Sequence, residues 1–182
     1  MAAKRTTPPE GFEYRPDVLD EAEERELVER IKGLRLKEFE FHGYLARRRV
    51  ISYGWHYDFG GETLNEASEI PDFLLPLRGR IAELAGISPK RLSHALITEY
   101  RPGTPIGWHR DKAVFDEVIG VSLLSPCTFR LRRKDASGWE RYSLQLEPRS
   151  MYVLRGEVRN LWEHSIPAVP ETRYSVTFRS LR

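Results

Sequence analysis

Two stretches in the N-terminal half of the chain carry hydrophobic residues at helical spacing. In the first, Asp20 is a predicted N-cap with Glu23 as its capping-box partner, and Gly33 predicts the end of the helix. The second stretch runs from Ile70 to Ala85, where Pro76 predicts a break or a new start. The pattern predicts two helices that pack through their apolar sides.

Between these helices, residues 36–60 alternate aromatic residues with polar and basic ones, which predicts β-hairpin strands. The cluster Arg47-Arg48-Arg49 lies within this segment. Aromatic rings beside arginines can stack on bases and bind phosphates, but ordinary packing on a sheet face explains the same pattern. Residues 1–10 are predicted to form a loose tail, and Phe12–Tyr14 a short strand.

From Pro89 onward the hydrophobic pattern predicts short strands separated by turns rich in Pro, Gly, Asp and Ser. The predicted strands are Leu92–Tyr100, Glu117–Leu124, Cys127–Arg133, Tyr142–Leu146, Met151–Leu154, Leu161–Ile166 and Thr172–Ser180. A helical preface followed by such strands is typical of an α+β chain, and a double-sheet jelly roll fits the strand count best. We expect one domain over residues 1–182, with the jelly-roll core in about 90–182.

The composition is that of a globular protein, with 40% hydrophobic and 31% charged residues among 182. The single cysteine, Cys127, excludes an internal disulfide and predicts a reducing, cytoplasmic environment. Apolar runs are far shorter than a membrane span, and no secretory signal is visible. We therefore expect no membrane partner, and no obligate protein partner is evident.

The net charge of +2 is unevenly distributed. Asp17–Glu29 holds seven acidic residues and one basic residue, so it carries a net charge of −6. Arginine accounts for 23 of the 29 basic residues. Because guanidinium groups suit bidentate phosphate contacts, a nucleic-acid partner is permitted. A genome that favours arginine codons explains the same bias equally well.

The strongest chemical candidate is the tripeptide His109-Arg110-Asp111. If the backbone there is extended, His109 and Asp111 project to the same face and can bind one metal ion. His164 is the best third ligand, since two histidines and a carboxylate leave positions open, as in non-haem Fe(II) oxygenases. The tripeptide is expected in a loop after the Leu92–Tyr100 strand. The other histidines, His42, His56 and His94, are poorer candidates.

An oxygenase of this type also needs a site for a dicarboxylic keto acid. Arg173 and Arg179 lie six residues apart in the last predicted strand, so both face the same side. Their Cα atoms are separated by about 20 Å at about 3.3 Å per residue, and both side chains can lean inward to bind the two ends of a small diacid. Tyr100 can donate a third hydrogen bond.

In this order, these motifs resemble the AlkB-type family of 2-oxoglutarate/Fe(II) dioxygenases. The resemblance is carried by Tyr100-x-Pro102-Gly103, Ile106-Gly107-x-His109-Arg110-Asp111, His164-x-Ile166 and Arg173-Tyr174-Ser175-Val176-Thr177-Phe178-Arg179. It implies a double-stranded β-helix, Fe(II) bound by the two histidines and the aspartate, and O2 as the oxidant. It also implies that 2-oxoglutarate binds to Arg173 and Tyr100 at its far end and to Arg179 at the end near the metal.

The resemblance further implies oxidative dealkylation of N-alkylated nucleobases in DNA or RNA, with release of an aldehyde, succinate and CO2. Residues 36–60 occupy the place of the family's nucleotide-recognition lid, where Tyr53 or Trp55 is expected to stack on a flipped or single-stranded base. Trp108 and Arg110 beside His109 are further candidates for substrate contact. Ala113 stands where DNA-repair members often carry an acid, which leaves base selection open.

Two alternatives remain open from the sequence. The same chemistry could act on a protein or a small molecule, in which case a closed apolar pocket rather than a basic, aromatic rim is expected. A non-catalytic jelly roll could instead bind zinc structurally. A structural zinc site does not require Arg173 and Arg179, so the two arginines favour an oxygenase.

Overall fold

The computed structural model describes residues 3–41, 44–58, 63–136 and 138–182. The helices are α1 (Glu21–Lys32), α2 (Leu75–Ala85), which follows a 3-10 turn at Asp72–Leu74, and α3 (Gly156–Leu161), with a further 3-10 turn at Pro89–Arg91. The strands are β1 (Ala3–Lys4), β2 (Phe12–Arg15), β3 (Lys37–Phe41), β4 (Tyr44–Tyr53), β5 (Trp55–Asp58), β6 (Thr63–Glu66), β7 (Leu92–Tyr100), β8 (Ile106–His109), β9 (Phe115–Leu123), β10 (Cys127–Asp135), β11 (Gly138–Leu146), β12 (Met151–Leu154), β13 (Glu163–Ile166) and β14 (Arg173–Leu181).

Two sheets face each other and form the jelly roll. The larger sheet has seven strands in the order β2-β12-β9-β14-β7-β4-β3, and the smaller has five in the order β1-β11-β10-β13-β8. The pair β5-β6 forms a separate hairpin. The predicted α+β class with a jelly-roll core is confirmed, and so is hairpin structure in the segment from residue 36. His42 and the end of that segment, residues 59–60, lie outside the described residues.

Alternation along β14 separates the two faces of the larger sheet. Tyr174, Val176 and Phe178 are buried in a hydrophobic cluster with residues of α1 and α2. Arg173 and Arg179, at the alternate positions, face the space between the two sheets, where they contact Ser122 and Asp111. The larger sheet therefore packs on the helices through an apolar face and presents a polar face to the interior of the jelly roll.

The two longer helices have the cap and the start that the sequence predicted, and an ion pair connects them. Asp20 accepts hydrogen bonds from the backbone N–H groups of Ala22 and Glu23, and the Glu23 side chain accepts one from the Asp20 N–H, which completes the capping box. Arg80 of α2 forms an ion pair with Glu23 at 2.6 Å and so connects the two helices. Pro76 lies in the first turn of α2, as expected for a new start.

Three local predictions are wrong. Part of the predicted loose tail forms β1, whose Ala3 and Lys4 pair in parallel with Glu140 and Arg141 of β11. His109, predicted in a loop together with Arg110 and Asp111, is instead the last residue of strand β8. The predicted strand from Leu161 begins instead at Glu163, because Gly156–Leu161 forms α3.

Cys127 is a buried free thiol. None of the helices in the described ranges is long and apolar enough to cross a membrane.

Candidate active site

The metal-capable side chains named from the sequence lie next to one another on the inner side of the smaller sheet. His109 ends β8 and is directly paired with His164 of β13, so that their ring centroids are 4.2 Å apart. Asp111 follows β8, and its Oδ2 lies 3.7 Å from Nε2 of His164. Strand pairing thus brings together two imidazoles and a carboxylate that are distant in the sequence.

A register shift in β8 orients His109 toward the interior. The paired residues are His164 with His109 and Ile166 with Ile106, so β8 contains one more residue than β13 between these pairs. Such a bulge changes the alternation, and Ile106 and His109 both face inward although they are three residues apart. Asp111 lies beyond the end of the strand, so simple i, i+2 alternation, as assumed from the sequence, is not what places it beside His109.

Two donor atoms of this cluster are close enough to share one divalent metal ion. Nδ1 of His109 lies 2.9 Å from the carbonyl oxygen of Gly107 and donates to it as the Nδ1–H tautomer, which leaves the lone pair of Nε2 available for a metal ion. Two metal–ligand bonds of about 2.1 Å each span at most about 4.2 Å. A single ion can therefore reach both Asp111 Oδ2 and His164 Nε2 across their 3.7 Å separation. Among the described residues, no three His, Cys, Asp or Glu side chains are spaced to hold a metal ion as they stand, so the fit depends on the Asp111–His164 separation.

Asp111 is held in the ionised form that a metal ligand needs. Its side chain is 7% exposed, and burial alone would raise the pKa of its carboxyl group. The charge of Arg179 has the largest opposing effect, and His164 and His109 add to it. Together they outweigh burial and lower the pKa of Asp111 well below its usual range. The carboxylate is therefore negative across the physiological pH range.

His164 is held in the neutral form. Burial is the largest cause and His109 the next, and together they lower the pKa of His164 to about 3, although Asp111 opposes the shift. The imidazole is therefore uncharged at neutral pH, with a nitrogen lone pair available for a metal. On its other side, His164 stacks on Phe129 with ring centroids 5.5 Å apart, which fixes the plane of the ring.

Arg179 binds the carboxylate of Asp111. Its Nε and Nη2 atoms each lie 2.8 Å from Oδ1 of Asp111, and its Nη1 lies 3.4 Å from Nδ1 of His94. Because Oδ1 accepts from Arg179, Oδ2 remains directed at His164. The sequence predicted that Arg179 contacts the near end of a diacid, and the spacing of β14 residues did not indicate this carboxylate partner.

Arg173 has a donor that fits a carboxylate from outside the chain. The residue is 1% exposed, its Nε donates to Ser122 Oγ at 3.1 Å, and its guanidinium lies 4.9 Å from the centroid of the Tyr100 ring. Within the described part of the chain, its Nη1 is buried and has no hydrogen-bond partner. A buried guanidinium with an unused N–H is costly unless an acceptor arrives, and a carboxylate is the acceptor that matches it best.

Tyr152 is a buried residue near the metal-capable cluster that the sequence analysis missed. It lies on β12 opposite Gly120, and its side chain covers that glycine so closely that a Cβ at position 120 would overlap the phenol ring. Burial, and then the nearby Tyr100 and Asp111, raise the pKa of Tyr152, so the phenol keeps its proton. Alternation along Met151–Leu154 could have placed Tyr152 inward, but no sequence signal paired it with Gly120.

Replacing Tyr152 with phenylalanine is expected to raise the dissociation constant for 2-oxoglutarate about 10- to 100-fold, since a hydrogen bond to a charged group contributes about 1.5–3 kcal/mol. The phenol O–H lies near the two inward arginines, where a diacid would bind. Calorimetric titration of Mn(II)-loaded protein measures the affinity. Tyr142→Phe, at the edge of the same cluster, is the matched control and should change nothing. Equal affinities of the two variants for 2-oxoglutarate would show that Tyr152 does not contact it.

Arg159 supports the loop that carries Asp111. It is 4% exposed, and its Nη2 donates to the carbonyl oxygens of Lys112 at 2.6 Å and Phe115 at 2.7 Å. A buried arginine that spans these two carbonyls fixes the turn between Asp111 and β9. The sequence carried no signal for this role, because Arg159 lies in a segment that was not assigned to any element.

Tyr53 does not have the position that the sequence predicted. It is 8% exposed and belongs to the hydrophobic cluster between the larger sheet and the helices. Its partner Ala95 lies in the same cluster, so this side of β4 faces the helices. A ring in that core is not available to stack on a base, and the substrate-contact role proposed for Tyr53 is therefore corrected.

The other predicted substrate contacts lie at the surface. Trp55 begins β5 and is partly exposed. Trp108 turns to the outer side of the smaller sheet, where its ring centroid lies 4.3 Å from the guanidinium of Arg132. Arg110 is exposed and donates to the carbonyl oxygen of Asn160 at 3.2 Å. The roles of Trp55 and Arg110 stay predictions, whereas Trp108 faces away from His109 and does not line the interior, so its predicted role is corrected.

Ala113 is exposed in the turn that follows Asp111. The next acids after Ala113, Asp116 and Glu117, both form ion pairs with Arg91, at 3.3 and 3.0 Å. Neither acid therefore stands in for the carboxylate that DNA-repair members often carry at the position of Ala113.

Comparison with known proteins shows the family to which the chain belongs. A family model described as the 2OG-Fe(II) oxygenase superfamily matches residues 11–179. The chain belongs to this superfamily. It is an AlkB-type dioxygenase, and Fe(II), 2-oxoglutarate and O2 are general requirements of the family.

Two curated relatives and one solved structure show how far the similarity extends. The dioxygenase is 30% identical over 181 residues to the "Alkylated DNA repair protein ALKBH8 homolog" of Arabidopsis thaliana, with 86% of this chain and 51% of the relative covered. It is 26% identical over 178 residues to the "Probable RNA/DNA demethylase ALKBH6" of Danio rerio, with 92% and 73% covered. The chain thus spans about half the length of the Arabidopsis relative.

The fold also matches a solved structure. "The structure of OsALKBH1" superposes with a TM-score of 0.75 at 15% sequence identity, with 97% of this chain and 99% of that chain covered. At that identity the match supports the jelly-roll fold alone. The described cluster lies on this fold as two imidazoles, one carboxylate and a buried arginine with an unused donor.

Proposed function

We propose that this dioxygenase removes alkyl groups from the nitrogen atoms of nucleobases in DNA or RNA by oxidation. The observation that carries the oxygenase part is the convergence of His109, Asp111 and His164 in one interior with Arg173, whose Nη1 has no partner among the described residues. Bound iron with O2 and 2-oxoglutarate would supply the oxidising power, and 2-oxoglutarate would leave as succinate and CO2.

In this proposal the residues of the site have separate roles. Nε2 of His109, Oδ2 of Asp111 and Nε2 of His164 would bind Fe(II). Arg179 holds Oδ1 of Asp111 and thereby directs Oδ2 at the metal. Arg173 would bind the far carboxylate of 2-oxoglutarate against Tyr100, and Tyr152 would donate a hydrogen bond between the two arginines. The side chains of Asp111, His164 and Arg173 are largely buried, whereas His109 is exposed at the edge of this site.

The nucleic-acid substrate is supported by the relatives and by the surface of the chain. One relative is named for repair of alkylated DNA and another for RNA and DNA demethylation. The chain is rich in arginine outside the acidic α1 region and carries aromatic residues such as Trp55. In general, basic side chains bind phosphates and aromatic rings stack on unpaired bases. A base buried in a duplex would have to be flipped out or offered as a single strand.

The proposal is tested by the release of formaldehyde from N-methylated oligonucleotides. A panel of methylated DNA and RNA single strands is incubated with the iron-loaded enzyme, 2-oxoglutarate and O2, and formaldehyde and succinate are measured. We expect equimolar release from at least one member of the panel. Succinate formation without formaldehyde from any member would reject nucleobase dealkylation while leaving the oxygenase chemistry intact.

Replacing Trp55 with alanine is expected to weaken binding of the oligonucleotide about tenfold, because stacking of a base on an aromatic ring contributes about 1–3 kcal/mol. Decay of 2-oxoglutarate in the absence of substrate should not change, since Trp55 lies outside the metal cluster. Fluorescence anisotropy and succinate assays measure the two quantities. Trp55→Phe is the control that keeps an aromatic face. Unchanged affinity in Trp55→Ala would assign base stacking to another residue.

A second candidate function is the same oxidation on a protein or a small molecule. The observation in its favour is Ala113, since the acid often used to select a damaged base is missing and Asp116 and Glu117 are engaged by Arg91. Uncoupled 2-oxoglutarate turnover that no oligonucleotide stimulates would favour this candidate.

A further inference from the structure

The outer side of the smaller sheet carries a layer of alternating tryptophan and arginine side chains. The guanidinium of Arg132 lies 4.3 Å from the ring centroid of Trp108 and 4.3 Å from that of Trp139, so it is sandwiched between the two indoles. The guanidinium of Arg130 lies 5.0 Å from the Trp108 ring. We call the set of these residues and their cationic neighbours the Trp–Arg face, which consists of Trp108, Arg130, Arg132, Lys134, Trp139 and Arg141.

Strand alternation separates this face from the active site. Phe129 and Leu131 of β10 are buried in the interior, at 0% and 1% exposure, and Arg130 and Arg132 occupy the intervening outward positions. Arg132 is directly paired with Arg141 of β11, and Lys134 with Trp139, so all four side chains project to the same side. The Trp–Arg face is therefore the reverse of the sheet whose inner side carries His109 and His164.

The outward residues of these strands include more cations than carboxylates. Glu163 accepts from Arg132 at 2.6 Å, and Arg130 donates to the hydroxyl group of Ser165. Among the outward residues described on β8, β10, β11 and β13, four cations therefore face one carboxylate. By contrast, Arg133, which points inward from the same strand, forms ion pairs with Glu140 and Glu157 at 2.8 Å each.

Cross-strand pairing places two of these cations directly opposite each other. Like charges directly opposite each other on a sheet destabilise the pair, and Arg132 and Arg141 stand in this relation. A bound anion between or beside them would remove that repulsion. Neighbouring indoles add flat apolar surfaces, and Trp139 is partly exposed while Arg132 contacts one of its faces.

The chemistry that matches both features is a chain that alternates anionic groups with flat rings. Single-stranded nucleic acid has this composition, since its phosphates suit arginine and lysine and its bases stack on indole. An acidic peptide would satisfy the cations but would leave the indoles without a flat partner. β8 is the edge strand of the smaller sheet, so a nucleic-acid strand that crosses it would run from the active-site side to the Trp–Arg face.

We propose that the Trp–Arg face is a second contact surface for single-stranded nucleic acid, which binds the part of the substrate strand that flanks the base in the active site. This inference rests on the nucleic-acid substrate proposed above. Trp139 stacks on a flanking base, and Lys134 and Arg141 contact phosphates. Arg132 lies between the indoles of Trp108 and Trp139 and holds their rings in place.

The test measures binding of unmodified single strands, oligo-dT and oligo-rU, by fluorescence anisotropy at several salt concentrations. Lys134→Ala combined with Arg141→Ala should reduce the slope of log affinity against log salt by about 1.4, because each phosphate contact with a single strand contributes about 0.7. Arg25→Ala with Lys90→Ala removes two exposed cations elsewhere and is the matched control. The two oligomers show whether DNA or RNA is preferred.

Trp139→Ala should weaken binding about tenfold, whereas Trp139→Phe should retain most of the affinity because a flat ring remains. Formaldehyde release from a methylated mononucleotide should be the same in all these variants, since none of the changed residues lies in the active site. Thermal denaturation checks that each variant is folded.

Other outcomes overturn the proposal in distinguishable ways. If the wild type binds oligonucleotides and the Trp–Arg variants bind like the control, the surface is wrong while nucleobase dealkylation still stands. If the variants lose binding of poly-glutamate as strongly as that of oligonucleotides, the face is a general polyanion contact without base stacking. If the wild type binds neither oligomer, the face is rejected, while formaldehyde release from the methylated panel decides separately whether nucleobases are substrates.

Discussion

Replacing Asp111 with alanine is expected to abolish 2-oxoglutarate turnover. Mutation of groups that only support metal ligands costs about 10–100-fold, so loss of a ligand should lower turnover by at least about a thousandfold. The physical reason is the position of Asp111, whose Oδ2 faces His164 while Oδ1 is held by Arg179. Succinate formation and iron content, measured on the same preparation, report chemistry and metal binding separately.

The alanine at position 111 also leaves the Arg179 guanidinium without its carboxylate, and breaking a buried ion pair destabilises a protein by about 3–5 kcal/mol. His109→Ala removes a ligand without this complication, because His109 is exposed and the Asp111–Arg179 pair remains. We expect it to lose turnover at nearly unchanged thermal stability. Asp116→Ala, at the start of β9 and paired with Arg91, is the control. Full turnover in either ligand variant would show that the ligand assignment is wrong.

Replacing Arg173 with alanine is expected to raise the dissociation constant for 2-oxoglutarate about a hundredfold, since truncating one partner of a buried charge pair costs about 2–5 kcal/mol. Arg173 is nearly fully buried, and its Nη1 has no acceptor among the described residues, so the co-substrate is its expected partner. Arg173→Lys keeps the charge but loses the bidentate fork, and an intermediate affinity is expected.

Arg179→Lys is the comparison that separates the two ends of the pocket. Because Arg179 is bound to Asp111, its substitution should affect metal retention and turnover more than the affinity for 2-oxoglutarate. Titration of 2-oxoglutarate into Mn(II)-loaded variants gives the affinities. If Arg173→Ala and Arg179→Lys weakened binding equally, the assignment of Arg173 to the far carboxylate would have to be abandoned.

Sequence patterns predicted the features of this fold that depend on local periodicity. The capping box of α1, the restart at Pro76 and the bounds of β7 and β12 follow from neighbouring residues, and the structure has them as expected. The Arg173 and Arg179 positions on one strand face follow from period-two alternation. These features required no knowledge of which strands are adjacent.

Features that depend on distant pairing could not be predicted in this way. The contact between Arg179 and Asp111, the cover of Gly120 by Tyr152, and the support of the Asp111 loop by Arg159 all join separate elements. Tyr53 was misassigned because an aromatic residue in an alternating strand can face either side, and only the register with Ala95 shows that it faces the helices.

Formation of an iron–2-oxoglutarate complex tests whether two histidines, one aspartate and a buried arginine act together. Anaerobic, Fe(II)-loaded protein is titrated with 2-oxoglutarate, and the visible charge-transfer band from iron to the keto acid is recorded. A band that saturates at one equivalent, is absent in His109→Ala and requires far more 2-oxoglutarate in Arg173→Ala is the expected result. Iron bound to the wild type without any band would contradict the site described here.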